Sequence, residues 1–424
     1  MFDILTYLNK YYSESPAGII EHFLEKFGIN VKQSRVFPEL WLFKYDQMAA
    51  KWSFPLTREC RGAIVSFNEG KWEIVSLPWI KFFNWDEPNC DLVSSDHENG
   101  FIENFYIAEK ADGTCIHIYY YKGDWRVSTL GSIETGAYGK KMDNTFESLF
   151  WSVILATGHT REQFCSILDK HGRNTYLFEL CTLKNRVVTK YPESRVYLLG
   201  IRESRNSYRM YTLGEVQTIA IDLGVHFPRL VDIKGWSLSK VIEYTEEESI
   251  KGVEGDEKIE YPEGYIIYDN VRPRAKIKNK RYLAAHAIIG GENERFVAWQ
   301  IVNALIGEKI DDIIPLLSEI QLKGLEKLKE EIVRFKLEIL KVEALLIEKN
   351  LSIRKDYAAI VFKSGNELSK KERGWLQGYL MGFFKEISNG RRGDYDKWFK
   401  TEMLRTNENI DYWKEIFLTE TDKY

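Results

Sequence analysis

The sequence predicts an α+β domain with largely antiparallel sheets over residues 1–290, followed by an all-α domain over residues 291–424. Three observations lead there. At 424 residues the chain is long for one hydrophobic core, so two domains are the default. Up to about residue 288, short aromatic and β-branched runs alternate with tight-turn sequences, the pattern of strands joined by hairpins. Past Gly290-Gly291 the apolar residues recur at helical spacing among lysines and glutamates.

The elements follow in order. Ser15-Pro16 reads as an N-cap with proline in the first turn, ahead of Ile19, Ile20, Phe23, Leu24 and Phe27, with Gly28 as the stop. Glu39–Tyr45 is a short aromatic run, and Thr57–Val65 a turn leading into a strand. Asn68-Glu69-Gly70 then signals a hairpin into Trp72–Ser76. Leu77–Asn84 is an apolar patch interrupted by Lys81. Two β-prone runs, Phe105–Ile107 and Ile116–Tyr120, flank Lys110, and Lys122-Gly123-Asp124 turns the chain into Trp125–Thr129. Helices are expected at about 143–156, with Asp143 as N-cap, and at 160–170. Strands are expected at 175–181, 195–201 and 208–212, then around Tyr265–Tyr268 and Arg274–Lys278 after a charged stretch at 245–260. Beyond Gly291, Leu322, Leu325, Leu328, Ile332, Phe335, Ile339, Val342 and Leu346 trace one face of a long helix. Further helical pieces lie around Trp375–Phe384, Trp398-Phe399 and Trp413–Phe417.

Composition narrows the function classes. A hydrophobic content of 44% and a charged content of 29% describe a soluble globular protein, and a net charge of -4 leaves no global basic field. Nucleic acid would have to be met by a local patch, because phosphate neutralisation needs clustered cations. The five cysteines include no Cys-x-x-Cys, so neither a disulfide framework nor a zinc site is suggested. No apolar run reaches membrane-spanning length, the N-terminus does not read as a signal peptide, and a cytoplasmic protein is expected, in the host cytoplasm if viral. Neither Gly-x-x-x-x-Gly-Lys-Ser/Thr nor His-Glu-x-x-His occurs, which argues against P-loop and zinc-protease chemistry.

The candidate chemistry centres on Lys110 in Lys-x-Asp-Gly, between two strands. A lysine there can be a covalent nucleophile if its amine is freed of its proton. Alone it reads equally well as a surface lysine beside an Asp-Gly turn. Lys276 and Lys278 share one face of a strand, which by itself is a solvated face as readily as a site. Glu179 interrupts an apolar strand, Glu263 precedes one, and Arg61 sits in Glu-Cys-Arg-Gly; taken singly, these suit an edge carboxylate and a structural ion pair.

The order of these pieces resembles the covalent nucleotidyltransferase superfamily of ATP-dependent ligases and mRNA capping enzymes. Within it the chain is most similar to the RNA ligase 1 family, the T-even phage tRNA-repair type. The resemblance rests on Glu59-Cys60-Arg61-Gly62, Lys81-Phe82-Phe83-Asn84, Lys110-x-Asp112-Gly113, Phe178-Glu179 with Asn185-Arg186-Val187-Val188, Glu263-Gly264-Tyr265, and Lys276-x-Lys278 with Tyr282 and His286. It covers roughly residues 40–290; beyond that only the helical character matches.

The resemblance implies a nucleotidyltransferase domain in which Lys110 attacks the α-phosphorus of ATP to give a lysyl-adenylate. The adenylate then passes to an RNA 5′-phosphate, and a 3′-hydroxyl displaces AMP. Arg61, Lys81, Lys276 and Lys278 would crowd positive charge around Lys110, lowering its pKa and balancing charge on the phosphates. Asp112 would orient the lysine; Tyr45, Glu109 and Tyr282 would contact the nucleotide. Glu263 would hold Mg²⁺, or Mn²⁺ in its place, directly or through water, and Glu179 would contact the ribose or a metal-bound water. The expected partners are ATP and RNA, and the expected role is repair of cleaved RNA such as a tRNA.

One departure stands out. The family commonly carries a basic residue before the Gly-Ser that follows the nucleophile's second strand, whereas this chain has Leu130 before Gly131-Ser132. Either Arg126 or Lys140 is expected to supply the charge, or a phosphate contact is missing. Two other classes compete: a DNA ligase or capping enzyme, and a non-catalytic RNA-binding relative. The first class usually carries a β-barrel after Lys-x-Lys, where this chain turns helical. The second would leave a cluster of lysines without the anions that stabilise it.

Overall fold

The structure is a computed structural model that describes residues 3–135, 145–185, 189, 191–205, 207–251, 263–279, 282, 298–307, 310, 314, 317 and 319–421. Arg186, Val187, Val188, Lys140, Asp143, His286 and the Gly290-Gly291 junction lie outside the described residues.

The chain divides into two compact units. One comprises residues 1–19, 29–45 and 51–289; the other joins 290–424 with two N-terminal pieces, 20–28 and 46–50.

The first unit contains three sheets. Strands β1 (Ile29–Gln33), β2 (Leu40–Tyr45), β3 (Arg61–Asn68) and β4 (Lys71–Ser76) form an antiparallel meander. The β3–β4 turn takes the form the sequence signals, with Glu69 and Gly70 both at positive φ, 48° and 78°. A five-stranded sheet runs in the order β11 (Leu230–Asp232), β6 (Tyr106–Glu109), β12 (Gly264–Tyr268), β13 (Pro273–Lys278), β5 (Phe83–Asn84). Its pairs are antiparallel except β13 with β5, where Lys276 stands beside Asn84. A four-stranded antiparallel sheet runs β10 (Arg195–Arg202), β9 (Thr175–Cys181), β7 (Thr114–Tyr121), β8 (Asp124–Thr129).

Alternation along the strands decides what faces what. On β9, Tyr176, Phe178 and Leu180 join a core with Phe150, Phe164 and Val216 from helices at Phe146–Ala156, Arg161–His171 and Leu213–Asp222. Leu177 points the other way, into a cluster with Ala108 of β6 and Ile266 and Tyr268 of β12. On β13, Ala275 and Ile277 enter a separate core with Ile107, Val241 and Ile267, so Lys276 and Lys278 take the opposite face. The facing sides of the two sheets therefore carry Glu179, next but one after Leu177, and both lysines.

Several local expectations are corrected. The N-terminal helix is Ile19–Phe27, not a helix capped at Ser15, whose hydroxyl instead accepts from Ala17 N. Another helix, Asp3–Tyr11, precedes it. The helix expected from Asp143 is Phe146–Ala156, with Thr145 as its cap. The strand expected at 208–212 is an isolated bridge between Arg202 and Met210, after which Thr212 caps Leu213–Asp222 in a capping box with Glu215.

In the second unit, every described element from Ala298 onward is helical. The 31-residue helix Glu319–Lys349 buries Leu325, Leu328, Ile332, Phe335, Ile339, Val342 and Leu346. It also buries Lys336 and Glu343, which the periodicity alone assigns to its polar side. Lys336 Nζ pairs with Asp46 at 3.0 Å and Asp396 at 2.8 Å. Glu343 accepts from Tyr379 Oη at 2.8 Å and Gly393 N at 2.8 Å, and it pairs with Arg392, which also pairs with Glu21. Arg392 is thus committed to carboxylates of its own unit.

Candidate active site

Lys110 occupies the connection from β6 to β7, where the chain leaves one sheet for the other. Its backbone N–H donates to Gly264 O at 2.9 Å, which ties this loop to the start of β12. The β6–β12 register, with Glu109 opposite Tyr265, brings Glu263 alongside. Lys110 Nζ donates to Glu263 Oε2 at 2.6 Å. Lys278, opposite Gly264 in the β12–β13 ladder, reaches the other carboxylate oxygen, Oε1, at 2.9 Å. One buried carboxylate therefore bridges two amines. Burial pushes the Glu263 carboxyl upward, but Lys110 and Lys278 outweigh it and hold it down at about 2.

The same pair corrects an expectation about the nucleophile. A crowd of cations would lower the Lys110 pKa, yet it is raised: burial and Lys278 act downward, and Glu263 and Glu179 overcome them. In this arrangement Lys110 is a held ammonium. Of the Lys-x-Lys pair it is Lys278 that contacts Glu263, while the Lys276 carbonyl accepts from Trp85 N at 3.0 Å.

Glu179 arrives from β9, opposite Cys115 of β7. Its Oε1 accepts the Gly113 N–H at 3.1 Å. Burial raises its carboxyl to about 7, with Glu263 and Asp112 adding to the rise and Lys110 and Arg61 opposing it. Gly113 is required by close approach, since a Cβ there would run into the Leu180 carbonyl oxygen and lie 2.9 Å from Cys181 Sγ.

Asp112 is buried and fully engaged. Oδ1 accepts from Tyr282 Oη at 3.0 Å, Oδ2 accepts from Thr189 N at 2.7 Å, and its own N–H donates to Tyr191 Oη at 2.8 Å. These bonds tie the Lys110 loop to Thr189, Tyr191 and Tyr282. Tyr282 also lies under Lys278, with Nζ 5.6 Å from the ring centroid. Glu109 lines a small recess with Lys110, Ala111, Thr189, Tyr191, Tyr197 and Glu263. Its carboxyl is pushed up by burial against the pull of Arg229 and Arg195.

Lys81 and Tyr45 form a second grouping. Lys81 Nζ lies 5.0 Å from the Tyr45 ring centroid, 5.6 Å from Trp52 and 5.3 Å from Phe83, inside an aromatic enclosure. Phe83 belongs to β5, whose neighbour Asn84 stands beside Lys276 in the ladder. Arg61 opens β3, stacks over Phe82 at 5.3 Å, and has a buried Nη1 with no hydrogen-bond partner. A guanidinium nitrogen left so suits an incoming anion or hydroxyl.

Sequence reasoning missed Thr189, Tyr191, Tyr197 and Trp52. Tyr191 precedes Pro192 in an irregular stretch, and only that proline-marked turn is a cue; the others have no local signal. The five cysteines are free; Cys115 is half-buried, and desolvation pushes its thiol up to about 12.

A family model described as RNA ligase matches residues 59–282, more than half of the chain, spanning Arg61, Lys110, Glu179, Glu263, Lys278 and Tyr282. The chain belongs to the RNA ligase family. An RNA ligase of Rhodothermus phage RM378 is 25% identical over 352 residues, 73% of this chain and 76% of the relative. A protein of Autographa californica nuclear polyhedrosis virus, provisionally described as a bifunctional polynucleotide kinase/RNA ligase, is 27% identical over 304 residues; the match covers 66% of this chain and 40% of that protein. Among solved structures, an archaeal ATP-dependent RNA ligase aligns over 92% of this chain and 83% of its own, with a TM-score of 0.44 and 13% identity.

Proposed function

We propose that the site around Lys110 carries out ATP-dependent joining of RNA 5′-phosphate and 3′-hydroxyl ends through a lysyl-adenylate. The observation that carries this reading is the buried Lys110–Glu263–Lys278 bridge with Glu179 beside it. Four ionisable groups are gathered there, largely out of water.

The chemistry follows from these groups. Lys110 Nζ first loses one proton to solvent to become a free amine and attacks the α-phosphorus; an N–P bond forms as the nitrogen sheds a second proton to solvent, and the P–O bond to the β-phosphate breaks with release of pyrophosphate. Lys278, freed from Glu263, and Arg61 lie where added negative charge on phosphate oxygens would be offset. The adenylate is next attacked by the RNA 5′-phosphate, which restores Lys110, and a 3′-hydroxyl then displaces AMP. Asp112 holds the Lys110 loop throughout, so the steps depend on positioning.

Lys110 must first lose its partner. Among the described residues no group of three or more His, Cys, Asp or Glu is placed to hold a metal ion. Two carboxylates, Glu263 and Glu179, still suit Mg²⁺ or Mn²⁺, which keep waters and share phosphate oxygens instead of needing a cage made by the protein. A divalent cation bound there would supply charge to the phosphate and compete with Lys110 for Glu263, which favours the free amine.

We infer that the helical unit selects the substrate and that this substrate is a broken RNA, such as a cleaved tRNA. Incubation with α-phosphate-labelled ATP and Mg²⁺ is expected to place covalent AMP on Lys110, with none on Lys110→Ala. Label persisting in that variant would overturn the nucleophile. Offered 5′-phosphorylated single-stranded RNA and nicked DNA together, the protein is expected to seal the RNA. Preference for the DNA nick would overturn the RNA reading.

A further inference from the structure

The Gly-Ser after β8 lacks the preceding cation that the family resemblance implies, because Leu130 stands there. The expected substitutes were sequence neighbours, yet the structure brings a different amine to this place. Lys44 Nζ lies 3.7 Å from the point where a Cβ on Gly131 would sit. Lys44 belongs to β2, in another sheet, and reaches Gly131 because of how β2 and β3 pair.

The register explains the approach. Lys44 is opposite Arg61, after a shift between Phe43 and Lys44 that leaves Gly62 as the extra residue of a bulge. Gly62 has φ of 92°, and a Cβ on it would lie 2.9 Å from both Cα and O of Leu130. The bulge thus presses directly on the Leu130-Gly131 backbone. Directly opposed residues of an antiparallel pair project to the same face, so Lys44 and Arg61 emerge together beside this contact. Arg61 is also the residue whose buried Nη1 has no partner, and its charge bears on Glu179 of the proposed site.

We propose that Lys44 is a phosphate-contacting residue of the ligase site, supplying from β2 the cation that Leu130 does not. The inference rests on the ligase reading above. Its ligand is a phosphate oxyanion, from either of two sources: the departing polyphosphate of ATP or the 5′-phosphate of the RNA end.

Stepwise kinetics on the full chain distinguish the sources. Lys44→Ala is expected to slow one step by about tenfold or more, the scale of losing one charged phosphate contact. A slower lysyl-adenylate formation with a raised KM for ATP assigns Lys44 to the polyphosphate. Normal lysyl-adenylate formation with slow AMP transfer to 5′-phosphorylated RNA assigns it to the RNA end. Lys44→Arg should retain most activity, and Leu130→Lys in the Lys44→Ala background should restore much of it, since it returns an amine beside Gly131 by the other route. Full activity of Lys44→Ala in every step would overturn the inference. So would a loss with unchanged KM values that neither Lys44→Arg nor the added Leu130→Lys repairs, because that is the behaviour of a merely structural lysine. Absence of covalent AMP on the unmodified protein is a separate result, which removes the ligase reading itself.

Discussion

Individual side chains in the proposed site are set by a balance of burial against charge. Glu179 illustrates it: burial lifts its carboxyl to about 7, whereas an ordinary glutamate titrates near 4.5. Between those values the folded protein holds a proton that the unfolded chain has released. Raising the pH through that window therefore favours unfolding. Metal-free wild type is expected to lose stability relative to Glu179→Gln as the pH rises from about 4.5 to above 7, followed by urea denaturation at each pH. Parallel curves for the two proteins would contradict the raised carboxyl. Glu263 has the opposite sign. Its depressed value of about 2 means that its contribution is present above the ordinary glutamate range and is lost only as the pH falls toward 2.

At the level of elements, the Lys110 loop depends on how closely β7 and β9 approach each other. Gly113 donates to Glu179 and leaves no room for a methyl group against Leu180. Gly113→Ala is expected to destabilise the protein by about 1–3 kcal/mol, as overpacking does. It should reduce lysyl-adenylate formation more than that loss accounts for, because the shifted loop carries Lys110. Retained adenylation at wild-type rate, measured with labelled ATP below the melting transition, would show that the loop tolerates the displacement. The helix at Leu213–Asp222 shows how element identity can be misjudged: Thr212 and Glu215 form a readable capping box, but Tyr208–Thr212 also has the residue types of a strand. Residue preference suggested the strand, while the helical cap won because it satisfies free N–H groups and Leu213 and Val216 find a core.

Across the whole molecule, the division into two units does not follow chain order, since 20–28 and 46–50 cluster with 290–424. Ion pairs join these pieces: the buried pair of Lys336 with Asp46, and Arg392 with the partly exposed Glu21 and the buried Glu343. Arg392→Ala leaves the fully buried Glu343 without its cation and is expected to cost about 3 kcal/mol or more in urea denaturation. Glu343→Gln in that background should recover part of the loss; equal stability of the single and double variants would mean that the charge of Glu343 is not what Arg392 offsets. These pairs were not legible in the sequence. In a 31-residue helix rich in Lys and Glu, the period identifies the apolar face but does not identify which charged residue turns inward to meet an acid nearly three hundred residues away.

What the sequence determined by itself is what short-range physics governs. Alternation and tight turns dictated the hairpins, and they put Lys276 and Lys278 on one strand face. Helical spacing dictated the core face of Glu319–Lys349, and the ordered motifs pointed to Lys110 and to the ligase family. The tertiary structure alone decided which charges meet. Lys110 and Glu263 are 153 positions apart, and their contact depends on the registers of β6, β12 and β13. That contact, with Glu179 beside it, reverses the expected shift of the Lys110 amine, because the two carboxylates overcome burial and the neighbouring Lys278. The same holds for Lys44 and Gly131: a bulge at Gly62 joins them, and nothing in the spacing of the chain announces it.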